Sequence, residues 1–403
     1  MDLAPLSLHH LYVFAGVADA GGVRKATESL HRASSAIARS VAALEAAVGV
    51  ELFERKGRGM LLTRAGELVM LRVQQIDAIL REVRDEAVRL RSRHGGTVAS
   101  LESLYSERRL EVATMLADTH HMPSVAAVLG ISQSAVSQAV ARLEEVLGQP
   151  LFLRTARGMI PTDVGDRWVL RFERVLAELR HILADVAALQ GVLEGVVTVG
   201  ALPLGRSQLL PAAIATLHAR HPRLHFRSLE SPYEELTAGL LSGRIDLILG
   251  ALRPESAQGL AMEPLFEDRI SLIAAANHPL ASKKRLALRD VDGYPWVLSR
   301  AGSPIREAVD GFFARQGHPA PVPFVETGDL ALLRGLLLRG EAVTVLSAHQ
   351  LHYEIEQGSL CELDLPMPDM RRVIGIITRG GARLSPGAEA LIAELRACSM
   401  ALR

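Results

Sequence analysis

The sequence predicts a multidomain chain of α plus α/β class: two all-α modules, each with a linker helix behind it, then a two-lobed α/β domain. Three observations predict it. A long gapped pattern occurs twice at one constant offset. Apolar residues in the first half recur at helical steps of three and four, and beyond Leu193 short apolar runs alternate with helical segments. At 403 residues the chain exceeds what one ordinary core supports. A content of 49% hydrophobic and 4% aromatic residues excludes a disordered chain.

The repeat comes first. Leu52-Phe53-x-Arg55-x-x-Arg58-Gly59-Met60-x-x-Thr63-x-x-Gly66 returns 99 positions later as Leu151-Phe152-x-Arg154-x-x-Arg157-Gly158-Met159-x-x-Thr162-x-x-Gly165. The same offset pairs Leu30 with Leu129, Ser35-Ala36 with Ser134-Ala135, Leu44-Glu45 with Leu143-Glu144, and Gly49 with Gly148. Two copies at so long a period are a duplicated small domain and not a solenoid.

Each copy reads as three helical segments and a hairpin. In copy two Val136, Val140, Leu143 and Leu147 make one apolar stripe, Ser132 is placed to cap that helix, and Gly130 sits in the tight turn before it. The opposite face opens with Gln133, Ser134, Ser137 and Gln138. Copy one repeats the stripe as Ile37, Val41, Leu44 and Val48, behind Ser34, Ser35, Ala38 and Arg39. A short helix, a tight turn and a second amphipathic helix make a helix-turn-helix whose second helix can enter a major groove. Short amide and hydroxyl side chains crowd its first turn, and acidic residues are absent there. The hairpins carry Arg154 and Arg157, and Arg55, Lys56 and Arg58, suited to phosphates or the minor groove as a wing.

Net charge does not carry the nucleic-acid reading. Basic and acidic residues number 45 each, so the case rests on pattern. Charge does separate the copies: eight Lys/Arg against four acidic residues over Arg24–Arg64, and three against three over Pro123–Gly165.

Ser132 through Gln138, Leu143-Glu144, Gly148, Leu151-Phe152-x-Arg154 and Thr162-x-x-Gly165 resemble the DNA-binding domain of LysR-type transcriptional regulators. Such regulators typically carry one copy. Copy one departs from the pattern at Ala33, Ser34 and Ala38, which stand where copy two has Ser132, Gln133 and Ser137. Copy two is therefore expected to supply most direct base readout, and copy one to be a phosphate-gripping auxiliary or a packing element.

Each hairpin leads into an amphipathic helix, Glu67–Arg93 and Asp166–Gln190, the latter striped by Val169, Phe172, Val175, Leu179, Ile182, Val186 and Leu189. Such a stripe must be buried against something. The resemblance implies that Asp166–Gln190 pairs with its twin in a homodimer or homotetramer; packing within its own chain is the alternative. The Glu67–Arg93 helix is free either to make a second such pairing or to pack on the first.

In the C-terminal half, Val196–Leu202, Leu224–Leu229, Ile245–Ala251, Arg269–Ala275, Trp296–Ser299, Val343–Ser347 and Val373–Thr378 read as buried strands. They alternate with helices Gln208–Arg220, Tyr233–Ser242, Ile305–Gln316 and Leu330–Arg339, which predicts a mostly parallel sheet. Gly200-Ala201-x-Pro203, Leu209-Leu210-Pro211, Gly243-x-x-Asp246-Leu247 and His278-Pro279-Leu280 continue the LysR-type resemblance, which implies a periplasmic-binding-protein-like effector domain with ligand held between lobes. The expected domains are a winged helix-turn-helix at 1–66, a linker at 67–97, a second winged helix-turn-helix at 98–166, a dimerisation helix at 167–190 and an effector domain at 191–403. Its lobe I takes 193–268 and 365–403, and its lobe II takes 269–364. The chain is expected to cross between them near Glu267–Arg269 and Glu362–Leu365. Ligands in such sheets sit where strands end and helices begin. That singles out Leu202, Pro203, Ser231, Pro232, Arg253, Ser303, Pro304, Thr327 and Ser347, with Arg253 suggesting an anionic effector such as a carboxylate.

Enzymes form the main alternative class, and their signatures are missing. There is no Gly-Lys dipeptide, no G-x-G-x-x-G, no H-E-x-x-H and no G-x-S-x-G. No cofactor, no metal site and no catalytic residue is expected. Cys361 and Cys398 form no C-x-x-C and fit a reducing compartment. No apolar run nears the roughly 18 residues of a membrane span, and the N-terminus lacks the basic n-region of a signal peptide. The expected setting is cytoplasmic, with double-stranded DNA and a small-molecule effector as partners and no membrane.

Overall fold

A computed structural model of the chain describes residues 6–56, 59–91, 100–256 and 258–402. It divides into two units, one holding residues 1–196 with 238–244 and 385–387, the other holding the remainder.

In the first unit, copy one runs α1 (Leu8–Ala20), α2 (Val23–Leu30), α3 (Ser34–Val48), the hairpin β1 (Phe53–Lys56) and β2 (Gly59–Leu62), and α4 (Arg64–Arg91). The last two positions of the expected helix Glu67–Arg93, and the linker up to residue 97, lie outside the described residues. Copy two repeats the pattern as α5 (Glu107–Thr119), α6 (Met122–Leu129), α7 (Gln133–Leu147), β3 (Phe152–Thr155), β4 (Gly158–Pro161) and α8 (Asp163–Leu189). The stripe of α7 is buried along its length, as are Ile37, Val41 and Leu44 of α3. The Ser132 hydroxyl accepts from the Ala135 amide at 3.1 Å, while Ala33 gives α3 no side-chain cap. The repeated Leu-Glu has a physical reason. Glu45 accepts from the Leu52 and Phe53 amides at 2.8 and 3.3 Å, and Glu144 accepts from those of Leu151 and Phe152 at 2.8 and 3.2 Å. In each copy one carboxylate on the second helix of the motif fastens the wing.

The repeated Thr-x-x-Gly explains why α4 and α8 begin three residues ahead of the expected Glu67 and Asp166. Thr63 and Thr162 accept from the Gly66 and Gly165 amides at 3.0 and 2.9 Å, starting each helix directly behind its wing. A Cβ on Gly165 would lie 2.1 Å from the Leu151 carbonyl oxygen. Gly165→Ala is therefore expected to destabilise the protein by about 1–3 kcal/mol despite the better helix propensity of alanine. Gly335, in helix Leu330–Leu337 with open space around its Cα, is the control. Gly335→Ala should stabilise by about 0.4–1 kcal/mol. Denaturant unfolding of both variants checks the pair, and equal shifts would discard the argument.

The stripe of α8 is covered by α4 and α5 of the same chain, and a single cluster of buried residues runs from Leu6 to Val186 through both copies. This is the own-chain packing that the sequence left open for 167–190: within one chain the stripe of α8 meets α4, its own duplicate.

In the second unit, β5 (Gly195–Ala201), β6 (Leu224–Leu229), β7 (Leu247–Ala251), β8 (Leu260–Ala275) and β13 (Arg371–Arg379) form the lobe I sheet in the order β6-β5-β7-β13-β8. Helices α9 (Pro203–Ser207), α10 (Leu209–Arg220) and α11 (Tyr233–Ser242) follow β5 and β6, and α15 (Pro386–Ser399) follows β13. Leu210, Ala213 and Leu217 of α10 and Leu391 and Leu395 of α15 share a core with Val197, Val199, Leu249 and Ile376.

Lobe II contains β9 (Trp296–Leu298), β10 (Pro323–Glu326), β11 (Thr344–Ser347) and β12 (Leu360–Leu363), with α12 (Pro304–Arg315), α13 (Leu330–Leu337) and α14 (His352–Glu356). Alternate residues of its strands enter two cores: Ile270, Leu272 and Leu298 join Phe312 and Phe313, whereas Ile273, Val297 and Leu346 join Leu333 and Leu337. Burial on both faces is why these strands read as unbroken apolar runs.

The sheet is mixed and not mostly parallel. The pair β5–β7 is parallel, but β8 runs antiparallel to β11, β12 and β13. The long β8 serves both lobes, and the expected strand Arg269–Ala275 is only its second half. The return to lobe I also comes later than Glu362–Leu365, because Leu365, Met367 and Met370 pack into the lobe II core and Ile374 is the first residue back.

Candidate functional site

The residues expected to meet DNA are presented together on the surface. Gln133, Ser134, Ser137 and Gln138 are exposed on the first turns of α7, and Ser34, Ser35 and Arg39 are exposed at the equivalent positions of α3. Arg154 and Arg157 are exposed on the second wing, where the Thr155 hydroxyl accepts from the Arg157 amide at 3.1 Å and shapes the tip. Arg58 and the side chain of Arg55 lie outside the described residues. The turn leading into each recognition helix is left-handed, at Gly130 with φ +64° and at His31 with φ +52°.

What fixes these two surfaces is a polar seam that the periodicity argument missed. Arg72 of α4 is fully buried and bonds Asp185 at 2.8 Å and Glu178 at 2.6 Å on α8. Burial works against its charge, and the two carboxylates outweigh that, raising the guanidinium above its ordinary pKa. At the other end of the seam Glu86 receives Arg171 at 2.6 Å, Arg167 at 2.8 Å and the Trp168 indole at 3.1 Å. Burial pushes the Glu86 carboxyl up, and these donors more than reverse it. Arg72 and Arg171 are 99 positions apart, as are Glu86 and Asp185. The Arg72–Asp185 and Arg171–Glu86 bonds are therefore one contact made twice. They relate the antiparallel α4 and α8 by a pseudo-two-fold that passes between Ile79 and Glu178. The repeat offset held the signal for this seam, in positions beyond Gly66 and Gly165.

The residues expected to hold an effector fall into two groups. Leu202 and Arg253 follow the parallel strands β5 and β7, so they share the carboxyl edge of the lobe I sheet. Ser303 and Thr327 follow β9 and β10, and Ser347 is the last residue of β11. Parallel pairing of β10 with β9 and of Val343 with Trp296 places these three at one edge of lobe II. Helix α9 packs against the turn Ala348–Leu351, which brings the two edges together. Within that set the side chains differ. Ser347 is fully buried and donates to Asp268 at 2.6 Å, and Asp268 in turn holds Arg372 at 2.8 Å. Thr327 is buried and accepts from the Asp329 amide at 3.0 Å ahead of α13. Arg253 lies 4.0 Å over the Tyr233 ring and 3.2 Å from Glu234, so it is not the free cation the sequence suggested. Pro203, Ser231, Pro232 and Pro304 are exposed, and Leu202 is half-buried with its amide given to the Leu249 carbonyl.

Ser303 is different. Its hydroxyl is buried at the start of α12 without a hydrogen-bond partner, as are the Tyr233 hydroxyl and the Gln208 side-chain oxygen. Tyr233 and Gln208 were not anticipated, because only three-dimensional packing leaves a polar atom unmatched. A cavity of about 390 Å³ on the strands that join the lobes is lined by Glu267, Arg269, Ala348, His349, Glu362 and Arg371. None of the nine expected residues lines it.

Comparison with known proteins decides the identity. The family profile "LysR substrate binding domain" matches residues 190–398. The profile "Bacterial regulatory helix-turn-helix protein, lysR family" matches twice, over residues 8–67 and 108–166. The chain belongs to the LysR family of transcriptional regulators. This LysR-type regulator is 44% identical over 397 residues to the HTH-type transcriptional regulator GalR of Pseudomonas putida, covering 98% of each chain. It is 30% identical over 291 residues to the DNA-binding transcriptional dual regulator OxyR of Escherichia coli, covering 72% of this chain and 94% of that one. A full-length OxyR variant from Pseudomonas aeruginosa has the same fold, with a TM-score of 0.56 at 24% identity over 73% of this chain and 95% of that one. The OxyR matches leave unmatched a part of this chain about as long as one winged module with its linker; the GalR match does not.

As a LysR-type regulator the protein binds DNA and carries an effector-binding domain, and proteins of this family form oligomers. Among the described residues, no single helix is long and apolar enough to cross a membrane, and no group of histidine, cysteine or acidic side chains is placed to hold a metal ion. Cys361 and Cys398 are free and half-buried, and burial raises both thiols above their ordinary pKa.

Proposed function

We propose that this LysR-type regulator acts in the cytoplasm without catalysis. Copy two reads operator bases through Gln133, Ser134, Ser137 and Gln138, while Arg154 and Arg157 hold the flanking backbone. Copy one adds Ser34, Ser35, Arg39 and the basic wing of Arg55 and Arg58. The observation that carries this reading is a capped recognition helix whose exposed first turns bear only amide and hydroxyl groups, beside an exposed arginine wing. Selection from a random duplex library tests it. Enrichment of a defined sequence is expected, and a pool that stays random would sink the reading.

The effector is a small organic anion taken up where the lobe edges meet, near Leu202, Pro203, Ser231, Pro232, Arg253, Ser303, Pro304, Thr327 and Ser347, and released unchanged. A carboxylate there competes with Glu234, whose side chain is 76% exposed, for the Arg253 guanidinium. The unmatched Ser303 hydroxyl supplies the sharper test. Without ligand, Ser303→Ala should leave stability unchanged or slightly raised, because it removes a buried polar atom that has no partner. With a ligand found by thermal-shift screening of organic acids, the same substitution should weaken binding by about 1 kcal/mol or more in calorimetry. Unaltered affinity would remove Ser303 from the pocket.

A further inference from the structure

We infer that a single chain reads an operator of two unlike half-sites, one through α7 and the other through α3. The inference rests on the DNA-binding reading above and extends it to the geometry and asymmetry of the target. Two observations carry it independently.

The first is that the two recognition helices are locked to each other within one chain. The paired contacts Arg72–Asp185 and Arg171–Glu86 set α4 against α8 about a pseudo-two-fold, and one core runs through both modules. Further ties cross between the copies. The Glu107 carboxylate accepts from the Leu8 amide at 3.0 Å, and Arg32 pairs with Glu102. The repeat offset makes α3 and α7 equivalent elements, and we take the two-fold of the seam to relate them as well. Two recognition helices so related present themselves to one duplex as inverted readers, which is the geometry a dimer of helix-turn-helix proteins uses on adjacent half-sites. Here no second chain is needed to build it.

The second observation is that the two readers are not the same. At equivalent positions α7 has Gln133, Ser134, Ser137 and Gln138, where α3 has Ser34, Ser35, Ala38 and Arg39. All of them are exposed. A glutamine amide matches the donor and acceptor edge of adenine, whereas an arginine guanidinium matches the two acceptors of guanine. The half-site under α7 is thus selected at adenine and the half-site under α3 at guanine. A pseudo-symmetric protein with unequal faces has no reason to prefer a palindrome.

The test uses the full-length protein and selection from a random duplex library, repeated with Arg39→Ala and with Gln133→Ala. Both residues are exposed, and matched melting curves will show that each variant is folded. The expected consensus has two unlike half-sites. Arg39→Ala should flatten only the guanine-bearing half and Gln133→Ala only the other, each by about tenfold or more in base preference. Sedimentation of the complex should give one chain per pair of half-sites. A palindromic consensus, in which Gln133→Ala weakens both halves and Arg39→Ala weakens neither, would overturn the inference while keeping the DNA-binding reading. So would a lone half-site, or two chains per pair of half-sites. Failure of the underlying reading looks different: no sequence would be enriched by any of the three proteins.

Discussion

Arg72→Ala is expected to cost the N-terminal unit about 3–5 kcal/mol, enough to unfold a marginal protein. Arg72 is fully buried, and its partners Glu178 and Asp185 are only 2% and 3% exposed. Removing the guanidinium takes from two buried carboxylates the charged donor that bridges them, at a place in the seam closed to water. The penalty comes from buried charge losing its main counter-charge more than from the value of the ion pair itself, and this yields a second arm. Replacing Arg72, Glu178 and Asp185 together with apolar residues of similar size should recover most of the stability. Denaturant unfolding followed by circular dichroism gives both numbers. If the single variant were as stable as wild type, or the triple no better than the single, the seam would not be what holds the two winged modules together.

Gln133→Ala should weaken specific operator binding roughly 10- to 100-fold, the effect of one lost base contact worth about 1–3 kcal/mol. Non-specific affinity should hardly change, because it comes from phosphate contacts that this side chain does not make. The helix itself should be undisturbed, since Ser132 still caps it and Gln133 is exposed. Arg157→Ala is the contrast: weaker binding to every sequence and a shallower dependence on salt, with base preference intact. Anisotropy titrations of specific and random duplexes at several salt concentrations separate the two patterns. Equal specific affinity for wild type and Gln133→Ala would take base reading away from α7.

How much of the fold was legible in the sequence follows from how far each signal reaches along the chain. A helix stripe, a capping serine, a left-handed glycine and a Thr-x-x-Gly start are set by neighbours within one or two turns. The wing, the recognition helices and their exposed faces therefore lie where the 99-residue repeat put them. The α/β alternation also survived, because a strand buried on both faces reads as an unbroken apolar run wherever it occurs. Strand direction did not survive. Nothing in Leu260–Ala275 states that it will run antiparallel to three partners and serve two lobes.

The sequence by itself determined the family, the duplication and the surfaces that face outward, since these depend on residue types at short, fixed spacings. Only the tertiary structure decided what each buried face meets. An amphipathic stripe says that α8 must be covered, because apolar area left in water is costly, but it carries no address. The cover seen within one chain is its own α4, held there by Arg72, Glu86, Glu178 and Asp185. These are charged residues that sequence reasoning assigns to solvent until their partners, about a hundred positions away, are seen across the seam. The effector residues divide for the same reason. Ser347 and Thr327 are spent on internal bonds while Ser303, Gln208 and Tyr233 hold unmatched polar atoms, a difference made by packing and not by the residues themselves.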